Sequence, residues 1–144
     1  MPDRWLGYAI AVMTAPLRPS VLIVEDDEPI AHVLRLALES IGFDTSYAHD
    51  GQEALRQAMS RSFDLFVLDQ MMPGMLGIEV AQQLTQQRRA TRDRIILITG
   101  GPIPSRATDY VSRVIQKPFD IEEILFMLCS MIDRDVPPVD ETRN

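Results

Sequence analysis

Three runs of four consecutive apolar residues punctuate the chain: Val21-Leu22-Ile23-Val24, Leu65-Phe66-Val67-Leu68 and Ile95-Ile96-Leu97-Ile98. Runs this short and rich in β-branched residues read as strands buried on both faces of a parallel sheet. The mixed stretches 43–47 and 113–116 predict two weaker strands at the sheet edges. Between the runs the period becomes helical. Ile30, Val33, Leu34, Ala37, Leu38 and Ile41 form one apolar stripe, and Ile121, Ile124, Leu125, Leu128, Cys129 and Ile132 repeat that spacing. A third helix is expected over 77–87. Asp50 with Glu53, and Asp120 with Glu123, are Asp variants of the capping box that opens a helix.

Strands alternating with helices imply right-handed βαβ units. Five such units predict an α/β, flavodoxin-like doubly wound fold: a five-stranded parallel sheet of order 2-1-3-4-5 with helices on both faces. The connection between the fourth and fifth strands is the weak point. Pro102 and Pro104 leave only 106–110 for a helix, about one turn, so the fourth helix is expected to be short or disordered. Residues 1–19, broken by Pro16 and Pro19, read as a flexible extension, and 134–144 as a disordered tail. The domain proper is expected over 20–133. The apolar run 6–13 follows Asp3 and a single Arg4, a poor signal-peptide start; a true initiator at Met13 is the alternative.

Composition narrows the classes. An apolar fraction of 46% in 144 residues supports one core without disulfides or a structural metal. A net charge of −7 argues against non-specific nucleic-acid binding, which needs cations to neutralise phosphates. No apolar stretch approaches the roughly 20 residues of a membrane span. The lone Cys129 excludes an intrachain disulfide, fits a reducing cytoplasm and falls in the last apolar stripe, hence in the core. His32 and His49 lie on different elements and read as structural or surface residues. Arg88, Arg89, Arg92 and Arg94 form a basic cluster, read as a solvated face, with a docking patch for an acidic partner as the alternative.

Ligand sites of open α/β sheets lie beyond the carboxyl ends of the strands. There the first strand runs into Glu25-Asp26-Asp27-Glu28, the third into Asp69, the fourth ends at Thr99 and the fifth at Lys117-Pro118. Clustered carboxylates repel one another unless a cation sits among them. Hard oxygen donors with room for water suit Mg²⁺. A lysine supplies a point charge for phosphate, and a threonine hydroxyl can donate to a phosphoryl oxygen. A carboxylate free to attack phosphorus would give an aspartyl phosphate.

The segments Val24-Glu25-Asp26-Asp27, Leu68-Asp69-Gln70-Met71-Met72-Pro73-Gly74-Met75-Leu76-Gly77, Ile98-Thr99-Gly100 and Gln116-Lys117-Pro118-Phe119 resemble the four signature segments of response-regulator receiver domains of bacterial two-component systems. The likeness covers about 20–133, and its strength lies in all four occurring in order, each at a strand end. It implies that Asp69 is the phosphoacceptor. Asp26 and Asp69 would bind Mg²⁺ directly, Glu25 through water and Met71 through its backbone carbonyl. Lys117 would pair with the phosphoryl group, and Thr99 would close on it. The Lys117-Pro118 bond would be cis, and Pro73 and Gly77 would shape the loop after the third strand. The implied partners are a sensor histidine kinase or histidine phosphotransfer protein and a downstream protein target, with no nucleic acid or membrane, and with a homodimer allowed. The implied chemistry is confined to the protein's own phosphorylation and dephosphorylation, so it is not an enzyme in the usual sense, and its expected place is the cytoplasm.

Two departures bear on output. Most receivers carry Tyr or Phe three residues before the lysine; here that position is Val114, with Tyr110 as a substitute. The short fourth helix suggests that 100–112 is mobile and ordered by phosphorylation or a partner. Both features favour, mildly, the alternative of a degenerate receiver acting as a non-phosphorylated interaction module. A Mg²⁺-dependent phosphatase with an aspartyl nucleophile would carry a second Asp two residues after the first, where this chain has Met71.

Overall fold

The strands form where β-branched runs can be buried from both sides. The computed structural model describes residues 6, 7, 10, 12–14 and 18–132. In it β1 (Ser20–Val24), β2 (Asp44–Ala48), β3 (Leu65–Asp69), β4 (Ile95–Thr99) and β5 (Arg113–Gln116) make one parallel sheet of order β2-β1-β3-β4-β5. Every residue of β3 and β4 is buried, whereas β2 and β5 at the edges are only partly so. That contrast matches the split between pure apolar runs and mixed ones.

Among the described residues, four helices of ten or more residues cover the sheet: α1 (Glu28–Ser40), α2 (Gly51–Ser60), α3 (Gly77–Gln86) and α4 (Ile121–Ile132). Strand side chains alternate between faces. Val21, Ile23, Leu65, Val67, Ile96 and Ile98 meet α1 and α4 in one core cluster. Leu22, Val24, Phe66, Leu68, Ile95 and Leu97 meet α2 and α3 in the other. Cys129 is fully buried in the first cluster, as its place in the stripe predicts. One stripe residue differs: Val33 is 51% exposed. The buried line of α1 runs through Ala31, Leu34 and Leu38, and Val33 lies about 100° around the helix from Leu34.

The helix starts show local capping. Asp27 Oδ1 accepts from Ile30 N at 3.3 Å, and Asp50 Oδ1 from Glu53 N at 2.8 Å. The return contact expected from Glu53 goes to His49 N, one residue earlier than a capping box requires. At α4 the carbonyl of Asp120 accepts from Glu123 N and Ile124 N. Between β4 and β5 there is only a 3₁₀ turn, Ala107–Asp109, so the fourth helix of the usual plan is reduced to that turn.

Within the region expected as an extension, Leu6, Gly7, Ile10, Val12 and Met13 are helical. Val12 is 2% exposed in the first core cluster, and a Cβ at Gly42 would lie 3.3 Å from Met13 Cα. The flexible reading did not anticipate that burial. The tail expected at 134–144 lies outside the described residues.

Candidate functional site

Sheet register sets the site. Val24 pairs with Leu68, so Glu25 emerges beside Asp69; Asp69 pairs with Ile98, and Thr99 with Gln116. The residues named at the four strand ends therefore meet at one edge of the sheet. Asp69 is in phase with Leu65 and Val67, whereas Thr99 falls in phase with Ile95 and Leu97 on the other side.

Glu25 and Asp69 are buried, at 2% and 3% exposure, while Asp26 faces solvent. Donor oxygens of Glu25, Asp26 and Asp69 all lie within 4.8 Å of one another. Lys117 Nζ stands 3.2 Å from Asp69 Oδ1 and 3.8 Å from Glu25 Oε2. At 3.2 Å it is an ion pair off the direction a hydrogen bond needs, and Asp69 Oδ1 has no hydrogen-bond donor. Glu25 Oε1 accepts from Asp27 N at 3.2 Å, which fixes the turn into α1.

The electrostatics follow from that crowding. Burial, with the charge of Asp69 next in weight, pushes Glu25 up to about 7. Burial also raises Asp69, against the opposing pull of Lys117. When all three carboxylates are ionised against one ammonium, the deficit equals the charge of one divalent cation. All-oxygen donors, partly open to water through Asp26, fit Mg²⁺.

Thr99 is fully buried, and its Oγ1 accepts from Gly101 N at 3.1 Å. The stem of Lys117 passes over Gly100, where an added Cβ would meet Lys117 Cδ at 3.7 Å. The Lys117–Pro118 peptide is cis. Met71 leaves the site with its side chain 61% exposed, so only its backbone could serve a ligand there. Gly77 approaches so closely that a Cβ would lie 2.4 Å from the Asp69 carbonyl oxygen. Gly74 takes φ +85°, a left-handed turn that favours glycine.

Val114 is half-buried against the second cluster, as is Tyr110. The Tyr110 hydroxyl accepts from Gln82 Nε2 at 3.3 Å and so ties the β4–β5 connection to α3. Arg88, Arg89 and Arg94 line a cleft of about 530 Å³ with Phe63 and Asp64, at the opposite end of the strands from Asp69. His32 and His49 are both exposed and take no part in the acidic cluster.

Two residues escaped the sequence reading as individuals. Asp27 caps α1 through its side chain. Gln70, 5% exposed, accepts from Ile78 N through Oε1 at 2.8 Å. Its signal is visible afterwards: Phe66, Leu68 and Gln70 share one face of β3, and only the last is polar.

A parallel sheet of this order with an acidic, lysine-bearing crevice at its carboxyl edge is a doubly wound fold with its ligand crevice at the strand ends. The Response regulator receiver domain family matches residues 21–128, and the chain belongs to it. Response regulator ArlR of Staphylococcus saprophyticus is 35% identical over 122 residues, 79% of this chain and 52% of that protein. The uncharacterized transcriptional regulatory protein YkoG of Bacillus subtilis is 40% identical over 113 residues, 73% of this chain and 47% of that protein. The chain thus spans about half the length of these curated relatives. Among solved structures, the receiver domain of Francisella response regulator 1452 superposes with a TM-score of 0.72 at 28% identity, covering 82% of this chain and 99% of that one. TrrA of Thermotoga maritima, solved in complex with Mg(2+)-BeF, gives 0.71 at 28%, covering 78% and 98%. No helix among the described residues is long and apolar enough to cross a membrane.

Proposed function

We propose that this chain is a phosphorylatable response regulator: Asp69 takes a phosphoryl group from a phosphohistidine in a Mg²⁺-dependent reaction, and the product acts through protein–protein contacts. The observation that carries the reading is the buried Asp69 Oδ1, without a hydrogen-bond donor, beside Glu25, Asp26 and Lys117. The Mg(2+)-BeF complex of TrrA, a structural neighbour, supports it.

A carboxylate oxygen of Asp69 forms the new O–P bond as the P–N bond to the donor imidazole breaks, and the imidazole leaves with the bonding pair and takes up a proton. Glu25, Asp26, Asp69 and the Met71 carbonyl would hold the cation, which when bound neutralises charge on the phosphoryl oxygens. Lys117 supplies a second positive charge, and its short reach to Asp69 keeps that charge beside the new phosphate. The Thr99 hydroxyl, whose donation to the Gly101 carbonyl is long at 3.5 Å, turns to donate to a phosphoryl oxygen. The partners in this reading are a sensor histidine kinase or histidine phosphotransfer protein and a protein target; the unit is 20–133, and its setting the cytoplasm.

The degenerate-module reading draws on Val114 and the reduced fourth helix, and the complete set of acidic, hydroxyl and lysine groups weighs more. The test is intact mass after incubation with acetyl phosphate, with Mg²⁺ or with EDTA, on wild type and Asp69→Asn. One added phosphoryl group that needs both Mg²⁺ and Asp69 is expected. An adduct that survives in Asp69→Asn, or none with Mg²⁺ still bound, overturns the assignment.

A further inference from the structure

The first N–H groups of a helix have no partner inside it. At α3 the residue in the capping position is Leu76, whose side chain cannot accept a hydrogen bond. The acceptors come from elsewhere. Gly77 N donates to the Gln70 carbonyl at 3.0 Å, and Ile78 N to Gln70 Oε1 at 2.8 Å. One residue, directly after Asp69, thus serves the first two donors of the helix. Its own N–H donates to the carbonyl of Ile98 at 2.7 Å, next to Thr99. The loop 71–76 is closed at its far end by Leu76 N donating to Glu79 Oε1 at 3.2 Å, and Met72 is its buried apolar anchor.

We propose that Gln70 is a positioning residue for the phosphoacceptor site. Its side-chain amide clasps the start of α3 and so holds the 71–76 loop, and with it the Met71 carbonyl and the Asp69 backbone, in the arrangement that cation binding requires. The consequence for phosphoryl uptake rests on the reading of Asp69 given above; the clasp does not.

The choice of side chain supports the assignment. Burying an amide is costly unless it is bonded, and the same face of β3 is otherwise filled by Phe66 and Leu68. An apolar residue would be the cheaper occupant of position 70 if filling space were its only task. The amide instead reaches Ile78 N, the one early donor of α3 that no main-chain carbonyl serves. In strand phase Gln70 falls with Phe66 and Leu68, on the face away from Asp69, and so acts on that carboxylate through the backbone.

The test uses Gln70→Leu, which keeps the volume and loses the acceptor, and Gln70→Glu, which restores an acceptor at the same place. Gln70→Met stands in if the leucine variant does not fold. In metal-free protein, Ile78 amide exchange is expected to be about fivefold faster in Gln70→Leu, the usual scale of a lost cap, and to return toward wild type in Gln70→Glu. Gly77, bonded to the backbone carbonyl, stays protected in all three. Mg²⁺ titrated against the amide NMR signals of Asp69 and Met71 should show an apparent Kd raised about fivefold in Gln70→Leu. Unchanged Ile78 exchange overturns the clasp. Faster Ile78 exchange with an unchanged Mg²⁺ Kd reduces Gln70 to a helix cap and overturns the positioning role. A wild type that binds Mg²⁺ but takes no phosphoryl group defeats the functional reading and leaves both of these tests standing.

Discussion

Gly77→Ala isolates the packing on which the site rests. Alanine in place of glycine in a helix is favoured by about 1 kcal/mol from backbone propensity alone, so local reasoning predicts a gain in stability. Tertiary structure predicts the reverse. The added Cβ would lie 2.4 Å from the Asp69 carbonyl oxygen, 2.9 Å from its carbonyl carbon and 2.8 Å from Leu97 Cδ1. The tip of Leu97 can turn away. The Asp69 carbonyl cannot, because β3 is laddered to β4 through Asp69 and Ile98. Overpacking of this kind costs about 1–3 kcal/mol, with backbone clashes toward the upper end. The net expectation is a loss of about 2 kcal/mol and a fall in Tm of roughly 5–10 °C for a domain of this size. Gly101→Ala is the control: its Cβ meets nothing within 4 Å, so the change should stay within about 0.5 kcal/mol. Urea and thermal unfolding of both variants measure this, and the acetyl phosphate assay on Gly77→Ala should show slowed uptake as Asp69 is displaced. A Gly77→Ala protein as stable as wild type with normal uptake would refute the idea that this contact is rigid.

In EDTA, stability should fall as pH rises from about 5 to 8. Glu25 lies near 7 in the folded state against an ordinary 4.5, so the native protein binds the proton more tightly and loses that advantage as the carboxyl ionises. The full difference corresponds to about 3 kcal/mol. Glu25→Gln should flatten the fall, be the more stable protein at pH 8 without metal, and bind Mg²⁺ more weakly; an unchanged pH slope in urea unfolding counts against burial as the cause. In the β4–β5 connection, amide exchange at Val111 and Ser112, bonded to Ala107 O and Ile95 O, should be slow, and exchange at Ile103 fast. If phosphorylation orders this connection, protection should rise at Ile103, Ser105 and Arg106; a pattern identical with and without the phosphoryl group removes that segment from the signalling route.

The sheet and the acidic crevice were legible because each rests on a one-dimensional signal. Short β-branched runs mark buried parallel strands, and Glu25, Asp26, Asp69, Thr99 and Lys117 all stand where such runs end. The reduced fourth helix was legible from Pro102 and Pro104. What stayed hidden depended on partners far apart in the chain. Val33 belongs to the stripe by spacing, yet the buried line of α1 passes one position to its side. Val12 is apolar in a segment with weak local signals, and only its packing with the first core cluster shows its burial. Gln70 sat within a recognised segment with no distinction of its own until Ile78 was found against its amide.

Hydrophobic period and chain order were sufficient, without coordinates, for the strand order, the two-faced helix cover and the edge at which chemistry collects. They suffice because alternation and the handedness of βαβ connections leave few ways to bury those runs. Tertiary structure alone decided which groups bear on one another. It set Lys117 at 3.2 Å from Asp69, left Asp69 Oδ1 without a donor, brought Gly77 against the Asp69 carbonyl and gave α3 its cap from Gln70. Those contacts join residues brought together by the parallel register, and an interaction of a few ångströms between strand ends has no counterpart in local sequence pattern.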